Sequence, residues 1–548
     1  MLGLLYARVL DAPLVWTDAS DLGERTLLRP PGEWARAFAE PLQRVPRGAT
    51  ATRQAYYRPL QVVWLSALDA AFDSSPRAFR LGGLAVAAAA LAAFAALAWR
   101  LFGSPGPALA AALLVAAHPV GIEALVWISG ISEPLCALFC FLALALALSV
   151  QDAAPARARL LAALSLAALL AALLSKERAA VLPALLLAVL LSRARLPQRA
   201  GAPAGARRGA LLVAAHAALV AGFFLLWRPA VLGGVAPPLA PIRGDPWAQV
   251  VTAVASWPAS LGWLFLPVSS STNDAVRIAT SPGDPLFLLG ALLALGSAGL
   301  WLWLLRAGRP VAALGLAWVW IAFLPTAGLV PQLHPRGERY LWLSAFGASL
   351  LVVDLGRAAL GPRRRVAAAG LAALAVAWLG WRTALRLPDW ASTETLFRVE
   401  LERDPGYREA RFLLAAAALE GGRPAEAGAL LEPLLFGSPA PGRASYLNLL
   451  ASYELGCATQ VHLGRPRRAL ELEGRAGPSV AASPVFQVCL GEAREQLGDP
   501  AGALVHYRAA LVGLGAGAPP PLRERMRELE GAKGSARDTS APSRSLDP

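Results

Sequence analysis

Long apolar runs, which begin at Leu81 and recur to about residue 385, most constrain what this chain can fold into. Several of them approach the roughly 20 residues with which a helix crosses about 30 Å of hydrocarbon. The composition agrees, since 56% of the 548 residues are hydrophobic, only 16% are charged and the mean hydropathy is +0.49. These values exclude an ordinary soluble protein and predict an all-α, polytopic membrane protein.

The hydropathy pattern predicts about 10 to 11 membrane-spanning helices. The predicted spans lie at 81–101, 107–127, 132–150, 160–174, 179–192, 209–227, 285–305, 310–330, 340–357 and 366–385. A further apolar run at 249–267 would reverse the side of every later loop if it crossed the membrane. We therefore predict a re-entrant or surface-lying helix at 249–267, with an eleventh span as the alternative.

Arginine supplies nearly all of the positive charge, because Lys176 and Lys533 are the only lysines in a chain of net charge +14. Arginine clusters beside spans are expected to face the cytoplasm. Four such clusters fall on one side when the predicted spans alternate, at 157–159, 193–208, 306–309 and 357–365. The loop 11–80 and everything after 385 are then predicted to lie outside. Because topology accounts for the basicity, no nucleic-acid partner is predicted.

Repeats appear where hydropathy falls. The turns GGRPAEA, LGRPRRA and LGDPAGA align on Pro424, Pro466 and Pro500, with separations of 42 and 34 residues. The shorter separation is the tetratricopeptide (TPR) period, and stacked TPRs leave a concave surface for a peptide or protein. We predict three parts: a transmembrane domain with a large first outer loop, a TPR solenoid and a disordered tail. Their bounds are 1–386 (loop 11–80), 387–530 and 531–548.

Charged residues between apolar runs need a physical reason, because a charge near the bilayer centre costs about 2.5 to 3.5 kcal/mol. The segment LLSKERAAV places Lys176, Glu177 and Arg178 between two predicted spans. Either these residues pair among themselves at the top of a helical hairpin, or they bind a phosphate group. In LHPRGERYLW, Arg336 and Arg339 suit an anionic headgroup, since guanidinium forks match phosphate oxygens. Interfacial anchoring explains these two arginines as well.

Further polar residues lie at the predicted outer ends of spans. The segment HPVGIEALVWISGISEP contains His118, Glu123 and Glu133. A structural role is the ordinary one for such a histidine, with metal binding as the alternative. No CxxC pair occurs, so zinc or thioredoxin-like chemistry is not predicted. The acidic stretch LDAPLVWTDASDLGE, which contains Asp18, is either a solvated loop or the place of a catalytic base.

The order of these motifs resembles a known family. An acidic first loop, YYRPL at 56–60, HP and Glu123 with WISG, then SKE, ERYLWL and TPRs follow one another along nearly the whole chain. This order is similar to that of the GT-C superfamily of membrane glycosyltransferases, and within it to the transmembrane-and-TPR O-mannosyltransferases and their bacterial relatives. The resemblance implies a GT-C helix bundle. It also implies inverting transfer of a sugar, such as mannose, from a polyprenyl-phosphate-linked donor to a protein or glycan hydroxyl on the outer face.

The resemblance also implies roles for individual residues. In the VWTD motif Asp18 matches the family's base, whereas Thr17 replaces the first acid of the family's pair, which argues against a metal bridged by two carboxylates. No cofactor is required by the motifs, and a divalent cation is left open. The lipid phosphate would be held by Arg58, Lys176, Arg336 and Arg339. Supporting positions would be His118, Glu123, Glu133, Glu177, Glu338 and Tyr340.

The family also predicts a location. We expect an integral protein of a bacterial inner membrane, with the TPR domain on the periplasmic side. The acidic loop begins at Leu10, where the family has already completed a first span of about 20 residues. We therefore expect that the sequence begins inside a longer protein, or that the gene product is truncated. The alternative functions are a non-enzymatic membrane TPR scaffold for envelope assembly and a transporter of lipid-linked sugars.

Overall fold

The structure is a computed structural model, and it divides into two compact units. It describes residues 1–42, 56–196, 203–234, 241–268, 271–272, 276–332, 334–361, 364–437, 443–444 and 449–538. Unit 1 contains the described residues up to Gly406 together with 443–444, and unit 2 contains the others from Tyr407 onward. The boundary between the units therefore lies after residue 406, whereas the sequence predicted it at 386.

Unit 1 is almost entirely helical. Its helices are α1 Leu2–Leu5, α2 Pro59–Phe72, α3 Pro76–Phe102, α4 Pro105–Ala117, α5 Ile122–Val126, α6 Ser132–Val150, α7 Pro155–Ser175, α8 Leu182–Ala194, α9 Pro203–Gly222, α10 Arg228–Leu232, α11 Pro246–Phe265, α12 Pro285–Arg306, α13 Pro310–Phe323, α14 Trp342–Leu360, α15 Arg365–Arg386 and α16 Thr393–Arg403. Two short strands, β1 Val276–Arg277 and β2 Arg443–Ala444, pair in antiparallel fashion.

Many of these helices begin with proline, which has no N–H to leave unpaired and a φ already suited to the first turn. Side-chain caps add to this effect in α3, where Ser75 accepts a hydrogen bond from the N–H of Ala78. The same helix ends at Gly103, whose φ of 70° is the left-handed conformation of a common helix terminator. Local sequence signals therefore set both ends of this long apolar helix.

The chain is an integral membrane protein. Within the described residues, seven helices are long and apolar enough to cross a membrane. They are Pro76–Phe102, Ile128–Val150, Pro155–Ser175, Arg207–Leu232, Pro285–Arg306, Glu338–Leu360 and Val366–Ala391. The bent pair Pro105–Ala117 and Pro119–Val126 adds an eighth if its two parts, at 63° to each other, form one span. The structure therefore has fewer candidate spans than the sequence predicted.

Three predicted spans account for most of the difference. The span predicted at 107–127 is broken where Pro119 follows His118, because the residue before a proline avoids helical backbone. The spans predicted at 179–192 and 310–330 correspond to α8 and α13, which have only 13 and 14 residues. Most of the run at 249–267 lies in α11, which is not among the seven helices of the described chain that are long and apolar enough to cross a membrane.

Aromatic rings and close backbone contacts hold the centre of unit 1 together. Phe94, Phe141 and Phe346 contact one another with ring centroids 4.6 to 5.4 Å apart, joining α3, α6 and α14. Gly315 of α13 and Gly347 of α14 permit a close helix crossing. A Cβ added at Gly315 would lie 2.6 Å from the carbonyl oxygen of Gly347. Small residues at such crossings are typical of membrane helix pairs.

Unit 2 consists of α17 Arg408–Glu420, α18 Pro424–Leu435, α19 Leu449–His462, α20 Pro466–Glu471, α21 Pro478–Ala481, α22 Pro484–Gln496, α23 Pro500–Leu514 and α24 Pro520–Asp538. Each proline of the predicted repeat turns begins a helix, in α18, α20 and α23. Consecutive helices pack as pairs, including α17 with α18 and α22 with α23. Assignment of these pairs as TPRs stays a prediction.

Two further features of unit 2 were not predicted. Cys457 of α19 and Cys489 of α22 form a disulfide, with Cα atoms 6.1 Å apart, inside the apolar core. The last helix, α24, continues to Asp538 and so extends past residue 531, where the disordered tail was predicted to begin. In the first part of α24, charged side chains alternate with the buried Leu522 and Met526, which gives this part of the helix an amphipathic pattern. Residues 539–548 of the predicted tail lie outside the described chain.

Candidate functional site

Four cationic and three acidic side chains form one connected group, which we call the ionic cluster. Its members are Arg58, Glu123, Glu133, Lys176, Glu177, Arg178 and Arg339. Each member forms a salt bridge or a hydrogen bond with another member. The pair of Arg58 and Glu177 is connected to the others because Lys176 and Glu177 are adjacent in the chain. All but Arg178 were predicted site residues. The cluster carries one surplus positive charge when all of its groups are ionised.

Glu133, at the start of α6, lies at the centre of this cluster. Its Oε1 accepts from Lys176 Nζ at 2.7 Å and its Oε2 accepts from Arg178 Nη1 at 3.2 Å. Arg178 also donates to Thr326 Oγ1 at 3.0 Å and to the carbonyl oxygens of Arg339 and Tyr340. A single arginine therefore joins the SKER segment to both ends of the loop between α13 and α14.

The pair formed by Arg58 and Glu177 lies at the least enclosed edge of the cluster. Nε and Nη2 of Arg58 both donate to Glu177 Oε2, at 3.1 and 3.0 Å. The guanidinium also covers the ring of Tyr56 at 4.5 Å. The sequence left open whether Lys176 and Glu177 pair with each other. They do not, because each of them binds a partner from an earlier part of the chain.

Arg339 is enclosed by a carboxylate and by aromatic rings. Its backbone N–H donates to Glu123 Oε2 at 2.8 Å, and its guanidinium forms an ion pair with Glu123 Oε1. Its Cζ lies 5.6 and 5.5 Å from the ring centroids of Trp16 and Trp127, which stack on each other at 4.8 Å. The ring of Tyr340 lies 4.6 Å away on the same guanidinium. Cation–π contacts of this kind hold an arginine in place without neutralising it.

Asp18 is fully buried, and both of its carboxylate oxygens are engaged. Oδ1 accepts from the N–H and the Oγ–H of Ser129, both at 2.8 Å, and Oδ2 accepts from the N–H of Ile128 at 3.1 Å. Gln61 Nε2 donates to the carbonyl oxygen of the same serine at 2.8 Å. This arrangement supports a role for Asp18 as the anchor of the WISG turn, rather than contact with a substrate hydroxyl.

The other predicted residues lie around the cluster rather than in it. Glu338 is paired with Arg386, which also binds Glu400 and Asp389. Arg336 covers the ring of Trp263 at 4.6 Å. The contacts of these two residues therefore join the loop before α14 to α11, α15 and α16. Phosphate binding by Arg336 stays a prediction.

His118 has a structural role in this fold. Its Nδ1 accepts from the N–H of Val120 at 3.2 Å, so its proton lies on Nε2, which donates to the carbonyl oxygen of Leu264 at 2.9 Å. Among the described residues, no group of three or more His, Cys, Asp or Glu side chains is arranged to hold a metal ion. The histidine thus joins the bend after α4 to the end of α11.

Burial changes the proton affinity of the groups that lie outside the spans. Burial lowers the pKa of Lys176 to about 8, against the opposing effect of Glu133. Burial alone would raise the pKa of Glu177, but the charge and hydrogen bonds of Arg58, together with the charge of Lys176, hold it below its usual value. Burial raises the pKa of Asp18 to about 7 in spite of its three hydrogen-bond donors. Near neutral pH, Lys176 is therefore mostly charged and Glu177 is ionised.

Two arginines that organise the site were not among the predicted site residues. Arg178 was considered only as one of the three charged residues of the SKER segment, which were expected either to pair among themselves or to bind a phosphate group. Arg80 of α3 is buried and donates to the carbonyl oxygens of Leu10, Ala12 and Pro13, which fixes the acidic first loop against the bundle. A charge near the start of a predicted span was the available signal in both cases.

The chain was compared with models of protein families, with curated proteins and with solved structures, and none of them matches it.

Proposed function

We propose that the protein is a glycosyltransferase that uses a polyprenyl-phosphate-linked sugar donor and acts at the outer face of the membrane. The observation that carries this proposal is the ionic cluster. Its cations outnumber its acids, it lies where several candidate spans end, and Arg58 and Lys176 are its most accessible cations. Cations held before the substrate arrives stabilise a leaving phosphate at little further cost.

The substrate class follows from this chemistry. A phosphate joined to a lipid chain can place its charge beside Lys176 and its chain along the apolar helices. The order of motifs along the chain supports a sugar as the transferred group, in the manner of GT-C enzymes. The acceptor is a hydroxyl of a protein or a glycan, and the helical repeats of unit 2 would present it. Asp18 acts as a positioning residue through its hold on Ser129.

Sidedness is supported by the disulfide between Cys457 and Cys489. Disulfides persist in oxidising compartments such as the bacterial periplasm and are rare in the cytosol. A location of unit 2 on the outer side of the membrane therefore fits its covalent chemistry. The expected arrangement is a bacterial inner-membrane protein with its helical repeats in the periplasm.

Binding and transfer together test the proposal. Purified protein in lipid nanodiscs should bind a polyprenyl phosphate, and Lys176→Met should weaken that binding about 10-fold or more because it removes a charged hydrogen-bond donor. The matched control is Arg77→Met. Arg77 is an exposed cation at the start of α3, and it pairs with the exposed Asp11 outside the ionic cluster. Equal affinity in wild type and Lys176→Met would refute the assignment of the binding site.

The reaction class is tested in cells. Mass spectrometry of outer-face proteins, with and without the gene, should show a hexose addition that is absent only from the deletion strain. Movement of the lipid-linked sugar across proteoliposomes without any glycosylated acceptor would favour a transporter instead. Crosslinking that captures proteins but never a polyprenyl phosphate would favour a scaffold.

A further inference from the structure

The acids around the site differ sharply in their access to a substrate. A residue that takes a proton from an acceptor hydroxyl must touch that hydroxyl. Asp18, Glu123 and Glu338 are 0% exposed and Glu133 is 2% exposed, whereas the side chain of Glu177 is 19% exposed. Glu177 is thus the one acid among these five that reaches an open edge.

The hydrogen bonding of Glu177 points the same way. Both donors from Arg58 go to Oε2, so one oxygen of the carboxylate carries the whole ion pair. The other oxygen, Oε1, is buried and has no hydrogen-bond donor among the described residues. A buried acceptor without a donor is costly in a folded protein and is a recurrent feature of functional sites. The exposed part of the side chain gives it room to turn Oε1 toward the open edge, where an incoming O–H group supplies the missing donor.

We propose that Glu177 is the general base of the transfer reaction, and this inference rests on the proposed function. Glu177 Oε1 accepts a hydrogen bond from the acceptor hydroxyl and takes its proton. The hydroxyl oxygen then forms a bond to the anomeric carbon of the sugar. The bond from that carbon to the phosphate oxygen breaks, and its electron pair leaves with the polyprenyl phosphate. Atoms and charge balance, and the configuration at the anomeric carbon is inverted.

The position of Arg58 adds a coupling between donor binding and base activity. Arg58 forms an ion pair with Glu177 in the structure. It also lies near Lys176, where the phosphate is proposed to bind. A bound phosphate competes with the carboxylate for this guanidinium, because both match its two-point geometry. Movement of Arg58 toward the phosphate leaves Glu177 with fewer donors and makes it a stronger base. Its charge is already present, since the pKa of Glu177 is below its ordinary value before substrate binds.

The experiment compares three variants in the full-length protein. Glu177→Gln keeps the shape of the side chain and should lower transfer about 10²- to 10⁴-fold. Affinity for a polyprenyl phosphate should equal that of the wild type or exceed it, because the carboxylate that competes for Arg58 is gone. Glu177→Asp keeps a carboxylate and should retain part of the activity. Glu24→Gln, on an exposed acid of the first loop, should transfer as wild type does.

Chemical rescue separates catalysis from structure. Added formate should restore part of the activity of Glu177→Ala, because a small carboxylate can enter the space and accept the proton. Transfer by Glu177→Gln at the wild-type rate would overturn the proposal. Loss of transfer together with loss of polyprenyl phosphate binding, and with no rescue by formate, would also overturn it and leave Glu177 a structural residue. Failure of the wild type itself to transfer a sugar would instead refute the proposed function.

Discussion

The buried carboxylate of Asp18 gives a prediction that depends only on the fold. Its pKa is raised from 3.8 to about 7, mainly by burial. Below about pH 4 the folded and unfolded chains both carry the proton, and above about pH 7 neither does. Between these limits the folded chain binds more protons than the unfolded chain, so the stability contributed by this group falls as pH rises. The substitution Asp18→Asn removes the titration without changing the shape of the side chain.

The size of the effect follows from the shift. Each pKa unit corresponds to about 1.4 kcal/mol, and the part of this titration that falls between about pH 5 and pH 8 amounts to roughly 3 kcal/mol. The free energy of unfolding of the wild type, measured relative to that of Asp18→Asn, should decrease by this amount over the interval. Over the same pH interval, the transition temperature of the wild type should fall by several degrees relative to that of Asp18→Asn.

Thermal unfolding in detergent, followed by tryptophan fluorescence at the two pH values, measures this difference directly. Asp11→Asn is the control, because Asp11 is an exposed acid paired with Arg77 and such pairs contribute at most about 1 kcal/mol. A wild-type advantage that stays constant with pH would show that Asp18 does not titrate in this range. An advantage that grows with pH would show a pKa lowered by its three donors, and either result refutes the reasoning.

Other predictions concern the cluster and unit 2. Affinity for a polyprenyl phosphate should fall as pH rises through about 8, because burial lowers the pKa of Lys176 to about 8, and Lys176→Arg should remove this fall because a guanidinium stays charged. Glu123→Gln should lower the unfolding free energy by about 3 to 5 kcal/mol, since it leaves Arg339 buried without a counterion. A double-mutant cycle with Arg339→Gln should recover much of this loss, and simple additivity would contradict the pairing. Cys457→Ser should cost about 4 kcal/mol for a loop closed over 32 residues, and labelling of Cys489 by maleimide in unreduced wild-type protein would contradict the disulfide.

The sequence predicted which residues matter better than it predicted what they contact. Residues chosen for their charge beside apolar runs do gather into one cluster, because buried charges in a membrane protein must find partners. Their pairing was not predictable. Glu123 and Arg339 are 216 residues apart, and Lys176 and Glu133 are 43 apart, so both contacts depend on helix packing that no local pattern records.

Two other differences have local causes. The acidic first loop was interpreted as a solvated loop or the place of a base, yet Asp18 is buried. It follows a turn at Trp16, whose φ of 62° is the left-handed conformation. Hydropathy alone cannot detect such a turn. Hydropathy also predicted more spans than the described chain has candidate helices, since apolar residues continue through the short 3-10 turns that precede α8 and follow α13.

The contacts of Arg178 have a consequence for the order of biosynthesis. Its partner Glu133 is made before it, but Thr326 and the carbonyl groups of Arg339 and Tyr340 leave the ribosome more than a hundred residues later. During that interval the first helices are inserted while Arg178 and Glu123 still lack these partners. The contacts between Arg178 and the loop before α14 can therefore form only after that loop has been synthesised. A nascent chain stalled before Arg339 should be a substrate for membrane quality control, whereas one stalled after α14 should persist.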